Sequence, residues 1–196
     1  MADPIDVLDF WLGEVGQDGW YAGGNVLDAE CRDRFADVWQ AAFDKGLEHW
    51  VDGTVGTLAY LVICDQLARN IHRGDANAFA TDAQARAAAQ KALEKGWDMA
   101  APEPERQFFY MPFMHSENLA DQALCIKLFA EKMPETGSDQ VIHAKAHQTV
   151  IARFGRFPFR NPALGRTSTD EEIQFMAEGA YGEVVRAIKA SHATNA

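Results

Sequence analysis

Thr54-Val-Gly-Thr-Leu-Ala-Tyr-Leu-Val-Ile-Cys64-Asp65-Gln66-Leu-Ala-Arg69-Asn70-Ile-His-Arg73-Gly74 is the stretch on which the fold turns. Its upstream part is apolar almost all round (Leu58, Tyr60, Leu61, Val62, Ile63), which predicts a helix from about Thr54 to Arg73, buried on most sides. Gly74 is placed to end it as a left-handed residue past the last turn. Asp65, Arg69 and Arg73 recur every four residues and share a face, with the acid N-terminal to its cations. On the surface such a ladder is worth a few tenths of a kcal/mol per pair, roughly. At the end of so apolar a helix, the polar groups are expected to meet other protein groups instead.

Helical periodicity continues on both sides, and strand-like alternation is nearly absent. Asp3-Pro4 predicts an N-cap with proline in the first turn, opening a short helix through about Trp11. Asp18 to Leu27 is glycine-rich and reads as a loop anchored by Trp20 and Tyr21. Asp28 is expected to cap a long helix with the stripe Cys31, Phe35, Val38, Trp39, Ala42 and Phe43. Thr81-Asp82-Ala83-Gln84 has the form of a capping box before an alanine-rich helix ending at Gly96. A helical turn over Glu103 to Met111, a helix from about His115 to Lys132 and another from Asp139 to Phe154 come next. Gly155 to Arg166 reads as a loop, and Ser168 or Thr169 as the cap of a final helix. Short connections predict antiparallel helix pairs packed in layers, in one all-α domain spanning residues 1–196. No repeat recurs at a period near about 34 residues.

The 196 residues carry 18 Lys+Arg against 29 Asp+Glu, a formal charge of -11. A net-acidic surface repels phosphate backbones, which argues against nucleic acid and anionic membranes as partners. Cys31, Cys64 and Cys125 are odd in number and widely separated, so neither a disulfide framework nor a thiolate zinc site is indicated. The acidic start lacks the character of a signal peptide, and the longest apolar run stops at Asp65. These features predict a reduced, soluble, cytoplasmic protein.

Two further constellations carry chemistry. In Tyr110-Met-Pro-Phe-Met-His115-Ser116-Glu117, followed by Asp121 and Gln122, adjacent His, Ser and Glu diverge too far on a helix to act as a hydrolase triad. Ser116 reads as an N-cap. Glu117 and Asp121 at i and i+4 need a cation, a metal or a shared proton between them. In Arg153-Phe-Gly-Arg156-Phe-Pro-Phe159-Arg160-Asn-Pro-Ala-Leu-Gly-Arg166, four arginines fall in fourteen residues without an acid or a lysine. Arginine suits fixed bidentate pairing, so the segment reads as an ordered loop anchored by Phe154, Phe157 and Phe159. Its guanidiniums are expected to face internal carboxylates (Asp65, Glu117, Asp121), a small anion, or both. His143 and His147 have metal-ligand spacing, but His147 shares a stripe with Val150, Ile151 and Phe154, which favours a hydrogen-bonded core histidine, and no metal is assigned. No glycine-rich phosphate loop follows a strand, so no cofactor is assigned either.

Taken in order, Cys64-Asp-Gln-x-x-Arg-Asn-x-x-Arg-Gly74, Ala78-Phe-Ala-x-Asp82, Glu105-Arg106, Tyr110 to Glu117, Ala120-Asp-Gln122, His147, Arg153 to Arg160 and Leu164-Gly-Arg-x-Ser-Thr-x-Glu-Glu172 resemble the bacterial family of unknown function DUF924, over nearly the whole chain. Val7-Leu-Asp-Phe-Trp11 resembles that family's start. The resemblance implies an all-α, tetratricopeptide-like fold, and implies no activity. Two departures stand out. Phe159 replaces the histidine of the family's usual Phe-Pro-His-Arg-Asn, and Ala68 stands where the family often has proline.

Two classes of function remain open, and with them whether the protein is an enzyme. In one, a pocket binds a small anionic metabolite, with acid/base chemistry through His115 or Glu117. Asp65, Arg69, Arg73 and Gln122 would contribute to binding, together with His147, Arg153, Arg156 and Arg160. In the other, these motifs are internal struts and the helical surface is a scaffold for a protein partner.

Overall fold

The computed structural model describes residues 3–194, and every regular element among them is helical. The all-α expectation is met. The chain falls into two compact units, Met1–Pro112 and Phe113–Ala196.

The first unit opens with α1 (Pro4–Leu8), where the Asp3 side chain accepts from the backbone of Ile5 and Asp6 in a complete capping box. The helix does not stop there but widens into a π-helical stretch, Asp9–Val15, and then α2 (Gly16–Gly19). Next come α3 (Asn25–Phe43), α4 (Thr54–Leu61), α5 (Ala68–Ile71) and α6 (Asp82–Lys95), and the division between the units falls within the short α7 (Met111–Met114). Helices α4 and α5 are one continuous rod joined by a second π-helical turn, Val62–Leu67, in which the Ala68 N–H bonds back to Ile63. The rod is buried as its composition requires: Leu61, Val62, Ile63 and Leu67 are fully enclosed, and α3 and α6 pack against it.

Two expected caps are corrected. Asp28 does not begin α3; Gly24, at φ +119°, turns the chain a few residues earlier, and Asp28 lies inside the first turn, buried. Thr81 stands at the start of α6 but makes no side-chain cap. Its hydroxyl donates to the Cys64 carbonyl at 2.6 Å and accepts from Trp39 Nε1 at 3.3 Å, because it is fully enclosed beside the π-helical turn. Gly96 does end α6 in the left-handed region.

In the second unit α8 (Leu119–Lys132) packs against α9 (Gly137–Phe154), and a connection of four residues between them leaves only an antiparallel arrangement. Asn118, not Ser116, caps α8, accepting from the backbone of Ala120 and Asp121. Glu117 therefore lies outside the helix, and the expected i, i+4 carboxylate pair on one helical face does not form. α10 (Asp170–Ala177) begins with a full Thr169–Glu172 capping box, and α11 (Ala180–Thr194) comes after it across Gly179. Val150, Ile151, Phe157 and Phe175 form a core closed by Phe154, Ala180 and Val184.

Cys31, Cys64 and Cys125 are buried and form no disulfide; burial pushes the Cys31 thiol up to about 12. Among the described residues no helix is long and apolar enough to cross a membrane.

Candidate functional site

In the first unit the arginines of the Asp-Gln-x-x-Arg-Asn-x-x-Arg motif engage three acids, Asp65, Asp82 and Asp28. Arg69 Nη2 lies 2.6 Å from Asp82 and 3.5 Å from Asp65, and Nη1 donates to the Ala78 carbonyl. Arg73 forks onto Asp28, with Nη2–Oδ1 at 2.7 Å, and Asn70 donates to the same carboxylate at 2.9 Å. The Arg73 hydrogen bond outweighs burial and holds the Asp28 carboxyl below its ordinary value. Asp65 and Gln66 ride on the π-helical turn, where Gln66 Nε2 donates to Asp65 at 2.6 Å and approaches Met111 Sδ at 3.6 Å. π-Helical turns cost hydrogen-bond geometry and recur at functional positions.

In the second unit the motif residues immobilise the backbone around one histidine. The buried Gln122 amide donates to the carbonyls of Met114 at 2.6 Å and Ser116 at 2.7 Å, with Phe113 at 3.4 Å. Between them the His115 carbonyl accepts from Arg160 Nη2 at 2.9 Å. The Arg160 guanidinium is itself buried and stacks over Phe157, 4.6 Å from the ring centroid. Ser116 Oγ donates to Asp121 at 2.6 Å. Glu117 Oε1 accepts the Phe157 N–H and Arg166 Nη1, both at 2.9 Å. Burial pushes the Glu117 carboxyl up, but Arg166, the Phe157 N–H and the Arg160 charge together bring it below its ordinary value.

Held this way, the His115 ring stands 6.2 Å from that of His147. His147 packs edge-on against Phe157 at 5.4 Å and Tyr181 at 4.7 Å. Its Nδ1 lies 2.9 Å from the His143 carbonyl, which only a protonated nitrogen can satisfy. Burial above all, then the charges of His115 and Arg160, push His147 down to about 3. It is a neutral imidazole with the proton on Nδ1, and no described residue hydrogen-bonds its Nε2. Both ring nitrogens of His143 are engaged, Nδ1 with Tyr181 at 2.5 Å and Nε2 with Asp139 at 3.4 Å, so the i, i+4 pair does not present two ligand atoms to one metal. Among the described residues no cluster of three or more metal-ligating side chains occurs.

Two of the three remaining loop arginines, Arg153 and Arg156, have other partners than those expected. Arg153 pairs with Glu171 at 2.8 Å. Arg156 takes both oxygens of Glu172 and the Thr167 carbonyl. Arg166 pairs with Glu117 at 2.9 Å, one of the internal carboxylates that the loop guanidiniums are expected to face. The signal for these acceptors is present in the sequence, since Asp170-Glu171-Glu172 comes almost directly after the basic loop. Tyr181 lies outside every motif and carries no signal. Phe159, at the position of the family's histidine, is 43 % exposed and leans on Phe157.

An all-helical protein whose polar motifs fasten a histidine pair is the class defined by this geometry. A family model described as bacterial protein of unknown function (DUF924) matches residues 7–180, and the chain belongs to that family. Among solved structures it is similar to a protein of unknown function from Agrobacterium tumefaciens, at 39 % identity and a TM-score of 0.82, over 89 % of this chain and 97 % of that one. No curated protein matches the sequence.

Proposed function

We propose that the second unit binds a small anionic metabolite at the His115–His147 pair, with His115 exchanging a proton with it. The observation that supports this reading is His147 Nε2, an oriented acceptor on a neutral ring that no described residue meets. Solvent reaches this nitrogen, and a ligand that donates a hydrogen bond to it takes the place of water there. The Arg160 charge makes the same place positive and favours an anion. A compound carrying both an anionic group and a hydroxyl or ammonium proton answers both features. Arg153 and Arg156 then form the frame of the site through Glu171 and Glu172, and Glu117 steadies Phe157 beneath the histidine. A cytoplasmic location fits the three buried cysteines that form no disulfide.

The pairing of every loop arginine with an internal acceptor favours a second reading. In it the motifs are struts of a tetratricopeptide-like scaffold, and a protein partner binds the helical surface. A thermal-shift series with small carboxylates and phosphates separates the two. A ligand present at a hundred times its dissociation constant adds about 2.7 kcal/mol. The metabolite reading expects a higher melting temperature for the wild type and none for His147→Leu. No rise in the wild type, or an equal rise in both, leaves the scaffold reading.

A further inference from the structure

Beside His147 lies a series of polar contacts to which neither the family motifs nor the proposed ligand site gives a role. Tyr181, the second residue of α11, places its hydroxyl 2.5 Å from His143 Nδ1. One turn earlier on α9, Asp139 Oδ2 lies 3.4 Å from His143 Nε2. Asp139 is in turn held by Lys189 at 2.8 Å, whose hydrogen bond is the first cause of its lowered carboxyl value. The face of the Tyr181–His143 pair is closed by His147, whose ring meets Tyr181 edge-on at 4.7 Å.

The direction of each hydrogen bond is set by what the groups can donate. The Asp139 carboxylate only accepts, so the proton of the imidazole belongs on Nε2. His143 Nδ1 is then an acceptor, and the Tyr181 hydroxyl donates to it. This is a carboxylate–imidazole–phenol series, the logic of a catalytic triad with a phenol in the nucleophile's place. Its outer end is open to solvent, with Asp139 60 % and His143 34 % exposed at the side chain. Its inner end is Tyr181, whose ring meets the His147 ring edge-on.

A second observation points the same way. Ala180, the residue before Tyr181, has φ +48°, and Gly179 before it has φ +103°. An alanine in the left-handed region is strained, and strain of this kind persists where the surroundings hold it, often at functional sites. Here Ala180 and Val184 are packed into the core of Val150, Ile151, Phe157 and Phe175, which fixes where Tyr181 begins.

We propose that Tyr181, His143 and Asp139 form a proton relay that carries a proton from a ligand at His147 to the surface. The step balances without a co-reactant. The ligand's acidic group gives its proton to a lone pair of the Tyr181 oxygen. The phenol passes its own proton to His143 Nδ1, and the resulting imidazolium is stabilised by Asp139 before releasing a proton to water. The ligand is left one charge more negative, and Tyr181 ends as it began. In this role Tyr181 touches the ligand, while His143 and Asp139 act through it. The proposal rests on the proposed ligand site for its substrate, but its geometry is testable on the protein alone.

The test is imidazole nitrogen NMR on the unliganded protein at neutral pH, comparing wild type, Tyr181→Phe and Asp139→Ala. The relay requires His143 to carry its proton on Nε2, with Nδ1 showing the resonance of a hydrogen-bonded acceptor. In Tyr181→Phe that resonance must move to the position of an unbonded imidazole nitrogen. In Asp139→Ala, a change at an exposed side chain that leaves folding intact, the single tautomer must give way to a mixture. A wild-type His143 protonated on Nδ1 overturns the proposal, as does a Nδ1 resonance unaltered by Tyr181→Phe, or a tautomer unaltered by Asp139→Ala. A melting shift with inorganic phosphate that survives such a result keeps the ligand site and removes the relay. The expected tautomers without any phosphate shift keep the relay's geometry and remove that ligand reading.

Discussion

Arg156 holds Glu172 by both oxygens, Nε to Oε1 at 2.6 Å and Nη2 to Oε2 at 2.8 Å. The same carboxylate closes the cap of α10 through the Thr169 N–H and accepts from Asn161. Glu172, 2 % exposed, thus joins the start of the basic loop to the start of the next helix.

The acid limb of the stability curve is shaped by this arrangement. The Arg156 hydrogen bond, against burial, holds Glu172 at about 2 rather than 4.5. A carboxyl whose folded value is depressed lends stability above its unfolded value and loses it as the pH falls toward the folded one. Unfolding free energy should therefore drop between pH 4.5 and about 2, and Glu172→Gln should flatten that drop. An unchanged slope in urea titrations over this range would remove Glu172 from the account.

His147 acts in a different window. Its folded value is depressed from 6.5 to about 3, so the folded state resists a proton that the unfolded chain accepts. Stability from this group is complete above pH 6.5 and declines below it, by about 1.4 kcal/mol per pH unit until the folded value is reached. Between pH 6.5 and about 4.5 the decline should vanish in His147→Leu. Carbon shifts of the ring should show no titration of His147 above about pH 4.5 in the folded wild type.

Gln122→Leu removes the amide that serves the carbonyls on both sides of His115. Burying those acceptors without a donor should cost about 2–4 kcal/mol in urea unfolding. The His115 ring resonances should broaden or shift even where the variant stays folded. A loss below about 0.5 kcal/mol would mean that water replaces the amide.

Thr81→Val keeps the shape of a fully enclosed side chain and deletes its hydroxyl. The Cys64 carbonyl loses a donor and Trp39 Nε1 an acceptor, so about 2 kcal/mol of stability should go, with a red or blue shift of tryptophan fluorescence. If Thr81 were only a helix cap, the fluorescence would stay as it is.

The sequence disclosed the helices because burial imposes a period that local reading can see, and it disclosed Asp3, Thr169 and Gly96 because their roles are settled within a few residues. Asp28 and Thr81 look like caps for the same local reason, and both are claimed instead by distant groups, Arg73 and the Cys64 carbonyl. Glu117 pairs with Arg166 rather than with Asp121 because Asn118, not Ser116, begins α8. The π-helical turns escape altogether, since one extra residue in an apolar run leaves no mark in composition. Of the site, His115, Gln122 and His147 are legible as motif residues, whereas the ring contacts of His147 with Phe157 and Tyr181 depend on tertiary packing that spacing does not encode.

The π-helical turn at Val62–Leu67 also sets the angular phase of the helix downstream of it. Each residue advances an α-helix by about 100°, and a π-turn amounts to one residue slipped into that rotation. Removing one residue there would return the rod to regular α geometry and swing its downstream part by about that angle. Arg69 would leave Asp82, and Asn70 would leave Asp28, while the apolar face upstream kept its neighbours. A one-residue gap within Val62–Leu67 between relatives is therefore not neutral length variation, since it decides which way the Arg-Asn pair points.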